Sequence, residues 1–292
     1  MSGGRFLSAN SRLETQLNYR HAFHAGNFAD LVKHGALLHL LARLTRGTGP
    51  LTVIDTHAGA GLYDLAGPEA LRSGEAAAGV ARLMAAADAP VAFAPLKAAV
   101  AGLNGAGAIR RYPGSPWLIA QALRPADRYL ACELRPEEHR ALAQTLKGRK
   151  GVEALCADGY KVALDRLPAK GPALVLIDPP FERADDYSRI VETVKGARRR
   201  NREAVAMVWL PLKDLETFDA FLRDLEDAGA GALLVGETRM RPLSDPMKMN
   251  GCALVFANPP ADLQPLVDDL CGWTAQALGE KGAGRAWRLG VG

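Results

Sequence analysis

The sequence predicts an α/β protein whose mostly parallel, seven-stranded sheet carries helices on both faces. Seven short apolar segments are typical of buried strands, and amphipathic stretches of helical length separate most of them. Strands that alternate with helices in this way pair in parallel, because each crossover helix returns the chain to the same edge of the sheet. The 292 residues are 48% hydrophobic, which is enough for one large core.

The elements are predicted from periodicity and from turn residues. Residues 1–17 form a leader without an apolar pattern, and a helix is expected over residues 27–46, where apolar residues recur at helical spacing before Gly47. The strand candidates are residues 51–55, 128–133, 153–157, 173–177, 204–210, 232–237 and 252–257. Further helices are expected at residues 136–146, 187–198, 212–227 and 263–278.

One interval is longer than this alternation requires. Roughly seventy residues separate Gly61 from Glu133, the next acid at a strand end, whereas a simple β-α-β unit needs about 30. The extra segment, about residues 65–110, is rich in Ala and Leu and poor in β-branched residues. We therefore expect one domain over residues 18–292, with a small helical insertion after the first strand.

Composition and charge exclude several classes of protein. The 36 Lys and Arg residues barely exceed the 32 Asp and Glu residues, and no uninterrupted apolar run reaches the ~18 residues of a membrane span. Residues 1–20 lack the apolar core of a signal peptide, and the four cysteines form no C-x-x-C pair. We expect a cytoplasmic protein with free thiols and no membrane-spanning segment.

The first chemical motif is the turn DTHAGAG, residues 55–61, at the end of the first strand. Its glycines let the backbone turn tightly and approach a ligand at the carboxyl end of the sheet. The third glycine of the dinucleotide fingerprint is missing, because position 64 is Asp. This pattern favours a nucleoside cofactor without a pyrophosphate, although a glycine-rich turn alone is a weak signal.

Two further acids follow the next two strands. Glu133 is placed to accept hydrogen bonds from both hydroxyls of a ribose, and Asp158, followed by Gly159, is placed to accept one from an adenine amino group. Each acid alone is equally typical of a helix N-cap or a turn. Acids after three consecutive strands, beside a glycine-rich turn, favour a nucleoside site.

The second motif is DPPF, residues 178–181, directly after an apolar strand. Its prolines stiffen the chain, so that the Asp178 carboxylate and the Pro179 carbonyl both present acceptors. An exocyclic amino group on a planar ring supplies two donors, and Phe181 offers a face for that ring. The alternative is a proline-rich turn without a chemical role. NPPA, residues 258–261, has the same prolines but no aromatic residue, and we interpret it as structural.

These motifs are similar to those of amino-methyltransferases that use S-adenosylmethionine. A larger set of segments, over about residues 18–292, resembles the RlmJ family of 23S ribosomal RNA adenine-N6 methyltransferases: Tyr19 to Asp30, Lys33-His34, Asp55 to Gly61, Tyr112 to Pro116 and Asp178 to Phe181. The resemblance implies a Rossmann-like class I methyltransferase fold with a helical insertion. It implies S-adenosylmethionine as cofactor, S-adenosylhomocysteine as product, no metal, and 23S ribosomal RNA as partner, with the family's adenine 2030 as target. We expect a monomer.

The resemblance also assigns residues to the site. Together with the glycine turn, it implies cofactor contacts at His34, His57, Gly59, Gly61, Ser115, Glu133, Asp158 and Gly159. Asp178 is the implied catalytic residue, with Pro179 and Phe181 beside it. Tyr19 is implied on the substrate side, and the basic, histidine-rich segment that includes Arg20 and His21 is expected to hold RNA. Phe181 replaces the tyrosine commonest in this motif, which keeps the stacking face and removes the hydroxyl.

Several alternatives stay open at this point. The leader has no counterpart in the family and is a tag remnant, an early start or a basic arm. A zinc site at His21, His24, His34 and His39 is disfavoured, because no cysteine lies nearby. A nicotinamide dehydrogenase would leave DPPF unexplained. A DNA adenine or protein glutamine methyltransferase would use the same kind of D/N-P-P-aromatic motif. A non-catalytic ribosomal RNA-binding factor would not explain why the acids, the glycines and the aromatic residue occur together. The basic clusters at 198–202 and 110–111 are solvated ends or a phosphate track.

Overall fold

A computed structural model describes residues 20–242 and 250–290 of the chain. The strands are β1 (Thr52–Asp55), β2 (Leu62–Asp64), β3 (Arg111–Pro113), β4 (Arg128–Cys132), β5 (Val152–Leu155), β6 (Ala173–Ile177), β7 (Val205–Leu212), β8 (Leu233–Arg239), β9 (Gly251–Ala257) and β10 (Ala283–Leu289). The α-helices are α1 (Phe28–Leu44), α2 (Pro68–Ser73), α3 (Arg82–Ala85), α4 (Ala94–Asn104), α5 (Ser115–Ala122), α6 (Pro136–Thr145), α7 (Gly159–Arg166), α8 (Asp186–Arg200), α9 (Leu215–Asp227) and α10 (Gln264–Leu278). The expected leader, residues 1–17, lies outside the described residues.

The central sheet has the strand order β10-β8-β9-β7-β6-β1-β4-β5. Pairing is parallel from β7 across to β5, whereas β9 runs antiparallel to both of its neighbours and β10 runs antiparallel to β8. This confirms the predicted mostly parallel α/β fold. Within the described residues the sheet has eight strands, which corrects the predicted seven. β10 escaped prediction because it lies at the sheet edge, half-exposed, with two arginines in a short alternating sequence.

Helices cover both faces of this sheet and make two apolar layers. α1, α4, α5, α6 and α10 contribute to one layer, and α7, α8 and α9 contribute to the other. The parallel strand β6 is buried along its whole length, which is why its sequence ALVLI is continuously apolar and does not alternate. No helix in the two described ranges has both the length and the apolar composition needed to cross a membrane.

Helix α1 carries polar side chains to the carboxyl edge of the sheet. It begins where the Asn27 side chain accepts a hydrogen bond from the Asp30 backbone N–H at 3.0 Å. Gly35 lets α10 pack closely, because a Cβ there would lie 2.9 Å from the Leu270 side chain. Asp30 and Lys33, in the first turns of α1, are nevertheless buried. Buried charges require partners of opposite charge or hydrogen-bond partners, and these two residues have theirs at the cavity described below.

The segment between β2 and β3 contains α2, a π-helical turn, α3, a short 3-10 turn and α4. β2 and β3 pair antiparallel at its base, with Tyr63 opposite Tyr112. The segment packs against the loop before α1, where a Cβ at Gly79 would lie 2.2 Å from the Gly26 carbonyl oxygen. It follows β1 in the chain and occupies the interval in which the sequence has more residues than a simple β-α-β unit needs.

Candidate functional site

The main cavity lies at the carboxyl ends of β1, β4, β5 and β6, which are adjacent in the sheet. It has a volume of about 300 Å³. The glycine turn after β1 and the DPPF segment after β6 both line it, and so do the acids that follow β4 and β5. Parallel strands bring their carboxyl ends to one edge, so motifs more than a hundred positions apart meet there.

Most residues predicted from the sequence line this cavity. They are His21, His34, His57, Gly59, Ser115, Glu133, Asp158, Gly159, Asp178, Pro179 and Phe181. Gly61 is not among the residues that line it. Its carbonyl accepts a hydrogen bond from the Gly114 N–H at 2.9 Å, which holds the turn in place. Arg20 is exposed outside the lining, and Tyr19 lies outside the described residues.

Glu133 is held by two backbone donors. The Gly59 N–H donates to its Oε2 at 3.0 Å, and the Arg135 N–H donates to its Oε1 at 2.8 Å. Gly59 has φ +64, and this left-handed conformation lets the turn present its N–H to the acid. Burial raises the pKa of Glu133 in spite of these donors. The carboxylate is therefore fixed in orientation, and each oxygen keeps a lone pair for another donor.

Asp55, the first residue of the glycine turn motif, does not line the cavity and supports it from beneath. Its Oδ2 accepts hydrogen bonds from Ser115 Oγ at 2.9 Å and Tyr129 Oη at 3.2 Å, and its Oδ1 accepts one from the His57 N–H at 3.3 Å. Burial raises the pKa of Asp55 to about 7. The acid joins the end of β1, the start of α5 and the turn into one unit.

Lys33 connects the catalytic candidate to α1. Its Nζ donates to Asp178 Oδ2 at 2.6 Å and lies 2.9 Å from Asp30 Oδ1. His21 Nε2 lies 3.0 Å from the other oxygen of Asp30. Burial opposes a charge on Lys33, but Asp178 and Asp30 outweigh it and hold the pKa of Lys33 well above its ordinary value. Burial likewise opposes a charge on Asp30, and the surrounding His21, Lys33 and His34 hold its pKa well below the ordinary value.

His34 presents an unsatisfied nitrogen at the cavity wall. Its Nδ1 is 2.9 Å from Tyr112 Oη, and its Nε2 has no hydrogen-bond partner among the described residues although it is buried. Burial lowers the pKa of His34 to about 3, so the ring is neutral near pH 7. A buried polar atom without a partner at a cavity wall favours a ligand that supplies one.

Asp158 is oriented by Arg189 and by the start of α7. Arg189 Nη2 donates to its Oδ2 at 2.5 Å, and the Tyr160 N–H donates to its Oδ1 at 3.1 Å. Although burial opposes it, Arg189 holds the pKa of Asp158 below the ordinary value. The same guanidinium lies 4.3 Å from the centre of the Tyr160 ring, and the edge of His57 packs on that ring at 4.8 Å. Burial lowers the pKa of His57 to about 4.

The DPPF segment presents acceptors and an aromatic ring. No donor within residues 20–242 and 250–290 reaches the Pro179 carbonyl or Asp178 Oδ1. Phe181 has φ +52, an unusual backbone conformation for an aromatic residue, and its ring lies 5.1 Å from that of Tyr187 and 6.0 Å from that of Trp209. The segment combines two open acceptors with a ring held at a fixed place.

Other sequence features lie away from this cavity. Arg198 donates to the Ala230 and Ala204 carbonyls and Arg200 to that of Leu167, so these two arginines of the cluster at 198–202 cap loops at the opposite edge of the sheet. NPPA lies at that edge too, where the Asn258 amide reaches the Ala204 carbonyl at 3.2 Å.

The four N-terminal histidines do not share one set of partners, although His21 and His34 both lie near Asp30. His24 contacts Glu75 at 3.0 Å and His39 contacts the Ala92 carbonyl at 2.7 Å, away from the partners of His21 and His34. Within the described ranges, no group of three or more His, Cys, Asp or Glu side chains has the arrangement of a metal site.

Three important residues were not assigned to the site from sequence. Asp30 and Lys33 carried a signal, because an acid and a base at i and i+3 interrupt an otherwise apolar helix. Arg189 carried none, since its contact with Asp158 depends on how α8 packs beside α7.

Comparisons with known proteins identify the family. A family model described as ribosomal RNA large subunit methyltransferase D, RlmJ, matches residues 48–289. Ribosomal RNA large subunit methyltransferase J of Haemophilus influenzae is 33% identical over 94% of this chain and 98% of its own length. Its Escherichia coli counterpart is 32% identical over 92% and 97%.

Solved structures extend the comparison to the fold. A crystal structure of a Legionella pneumophila protein has a TM-score of 0.81 at 28% identity, covering 91% of this chain and 98% of that chain. The family predicted from the motifs is confirmed, and the fold is that of class I methyltransferases. The chain belongs to the RlmJ family of ribosomal RNA large subunit methyltransferases.

Proposed function

We propose that the chain transfers a methyl group from S-adenosylmethionine to the N6 amino group of an adenine in 23S ribosomal RNA. One observation carries the proposal: the acceptors of the DPPF segment and the glycine turn line the same cavity. A nucleoside cofactor and a purine amine each find matching groups there. The names of the relatives support RNA of the large ribosomal subunit as the substrate.

The residues around the cavity fit S-adenosylmethionine. Glu133, fixed by two backbone N–H groups, suits the ribose hydroxyls, and Asp158 suits the adenine amino group. The unsatisfied Nε2 of His34 and the hydroxyl of Ser115 suit the polar amino-acid end. When bound, the cofactor supplies an electrophilic methyl group on a sulfonium. We assign His57, Gly59 and Gly159 to the same binding surface.

Asp178 and Pro179 act on the nucleophile in this proposal. The N6 lone pair of adenine is delocalised into the ring, and hydrogen bonds from N6 to Asp178 Oδ1 and the Pro179 carbonyl localise it. Lys33 occupies Oδ2 and so fixes the orientation of the carboxylate. Alignment of the reacting groups lowers the barrier by about 7 to 11 kcal/mol. Asp178 accepts the proton once the methylated nitrogen has become acidic. Phe181 supplies the stacking face.

The RNA has to present its adenine unpaired. N6 takes part in base pairing inside a helix, so the target is flipped out or already single-stranded. His21 lines the cavity, and we assign it, with Arg20 and Tyr19, to the RNA side. The expected target is the adenine numbered 2030 in this family, and we expect the protein to act as a cytoplasmic monomer.

The proposal is tested with labelled S-adenosylmethionine and 23S RNA transcribed without modifications. We expect one labelled N6-methyladenosine per RNA after digestion to nucleosides and mass spectrometry. A matched transcript with guanosine at the methylated position is the control for target choice, and a DNA copy of the same region is the control for RNA. Label in another nucleoside, or equal transfer to DNA, contradicts the proposal.

A further inference from the structure

A second cavity lies beside the main one, on the other side of Phe181. It has a volume of about 220 Å³, and Phe181, Pro211 and Lys213 line both cavities. The two cavities therefore adjoin at these three residues. The proposed methyl-transfer reaction uses only the main cavity, so the second has no role in it.

The walls of the second cavity suit a planar ring. Tyr187 and Phe218 line it together with Phe181, and Tyr187 is braced by the Phe221 ring at 5.8 Å. Phe181 itself is held with φ +52, a backbone conformation that the surrounding structure has to impose. The cavity is smaller than the roughly 300 Å³ at the lower end for whole small-molecule ligands, so one base fits it better than a complete ligand.

The mouth of the second cavity carries a positive charge. Lys213 is exposed and forms no ion pair among the residues that the structure describes. The neighbouring Asp214 is occupied, because its Oδ1 accepts from the Thr217 N–H at 2.7 Å and its Oδ2 from Thr217 Oγ1 at 3.1 Å. That carboxylate caps the N-terminus of α9, whose dipole offsets its charge. Lys213 is left to meet an anion.

We propose that the second cavity binds the base of a nucleotide directly adjacent to the target adenine, with the phosphate of that nucleotide on Lys213. This inference rests on the proposed function. An adenine in the main cavity is covalently joined to neighbours one phosphate away, and the second cavity shares the Phe181 wall with the main one. Stacking on aromatic side chains suits any base, so the subsite recognises a flanking nucleotide with little preference for its identity.

The test fills the cavity from an exposed helix position. Thr217 is exposed on α9 and lines the cavity, so Thr217→Trp places an indole in it. Asp219, also exposed on α9, is not part of the lining, and Asp219→Trp is the matched control. Both variants and the wild type are assayed on a short 23S RNA hairpin, and on hairpins abasic at the position 5′ or 3′ of the target. Calorimetry with S-adenosylhomocysteine checks that the variants are folded.

We expect removal of one flanking base to lower kcat/KM of the wild type by roughly 5- to 100-fold, the range of one stacked base, with little effect from the other flank. Thr217→Trp should lower kcat/KM by a similar factor on the intact hairpin, and its kcat/KM should not fall further on the abasic hairpin. Asp219→Trp should match the wild type. Lys213→Ala should reduce the slope of RNA affinity against salt by about 0.7, the value for one single-strand phosphate contact.

Three outcomes overturn the inference. The first is that the wild type methylates both abasic hairpins as well as the intact one. The second is that Thr217→Trp shows the same drop in kcat/KM on the abasic hairpin as the wild type does. The third is that Thr217→Trp loses as much turnover on free adenosine monophosphate as on RNA. The last result would mean that the cavity accommodates movement of Phe181. If the wild type still methylates the intact hairpin in these cases, the proposed function stands and only the flanking-base subsite is refuted. If no N6-methyladenosine forms at all, both proposals are refuted.

Discussion

Lys33 is the residue on which the charges of the site depend. It lies between Asp30 and Asp178, so one buried cation is paired with two acids. A lysine taken from water into this environment is costly unless such partners are present. Its hydrogen bond to Oδ2 explains how the Asp178 carboxylate is held in one orientation at the wall of the main cavity.

The Lys33→Met variant tests this dependence. Removal of the cation leaves the buried Asp30 without its lysine partner, with His21 and the Gly26 N–H still beside it, so we expect the free energy of unfolding to fall by about 3 kcal/mol or more. Denaturant unfolding at pH 7 measures it. Lys195→Met, which removes an exposed ion pair with Glu192, is the control and should cost below about 1 kcal/mol. Equal losses in the two variants would show that the buried network contributes no more than a surface pair.

Asp55 makes stability depend on pH. Its pKa of about 7 in the folded protein lies above that of an unfolded Asp, so the folded state binds more protons between about pH 4 and 7. Stability contributed by its protonated form is therefore present at about pH 4 and is lost as pH rises to 7. We expect the stability of the wild type relative to Asp55→Asn to fall by up to about 4 kcal/mol over this window.

Unfolding of both proteins in urea, from pH 4 to 7, measures that difference. His34 and His57, whose pKa values are lowered by burial, act in the opposite direction but are present in both proteins and cancel. A pH-independent difference would mean that Asp55 is already charged in the folded protein at pH 4.

At the scale of elements, the site depends on how closely α7 approaches the turn after β1. A Cβ at Gly159 would lie 2.1 Å from the Thr56 carbonyl oxygen, and the neighbours are backbone atoms that cannot turn aside. The helix start, the turn and Asp158 are therefore fitted to one another. A glycine at this place is a packing requirement as much as a ligand contact.

We accordingly expect Gly159→Ala to lower the free energy of unfolding by about 1 to 3 kcal/mol and to weaken S-adenosylhomocysteine binding. Gly102 in α4 has open space around it, and Gly102→Ala should be neutral or slightly stabilising. Thermal unfolding and calorimetry on the two variants check this. If Gly159→Ala destabilises the protein but leaves cofactor affinity unchanged, the start of α7 is not part of the cofactor-binding surface.

The elements also show what sequence patterns can and cannot provide. β1, β6 and α1 were predictable because parallel strands and a core helix are apolar in ways that local sequence reveals. β10 was missed because an edge strand with Arg285 and Arg288 needs little apolar surface. The helical composition of residues 65–110 was visible, whereas the two-stranded pairing of β2 with β3 at its base depends on tertiary contacts.

At the scale of the whole molecule, the candidate site lies at one edge of the sheet, and the arginine and NPPA segments lie at the other. Asp178, Glu133 and Asp158 were predictable as site residues because each follows a strand whose carboxyl end lies at that edge. The ion pairs of Asp178 with Lys33 and of Asp158 with Arg189 were not, since they join helices distant in sequence. The basic cluster at 198–202 was compatible with solvated helix ends or with a phosphate track, and in the structure its Arg198 and Arg200 bond to carbonyls at the far edge.

The Asp178→Ala variant tests the central claim most directly. Methyl transfer to unmodified 23S RNA and S-adenosylhomocysteine affinity are measured together for this variant and the wild type. We expect turnover to fall by about 100-fold or more, the usual worth of such a group, while affinity stays within a few-fold, because Lys33 keeps Asp30 as its partner. Parallel loss of affinity and turnover, or N6-methyladenosine formed at the wild-type rate, would contradict the account.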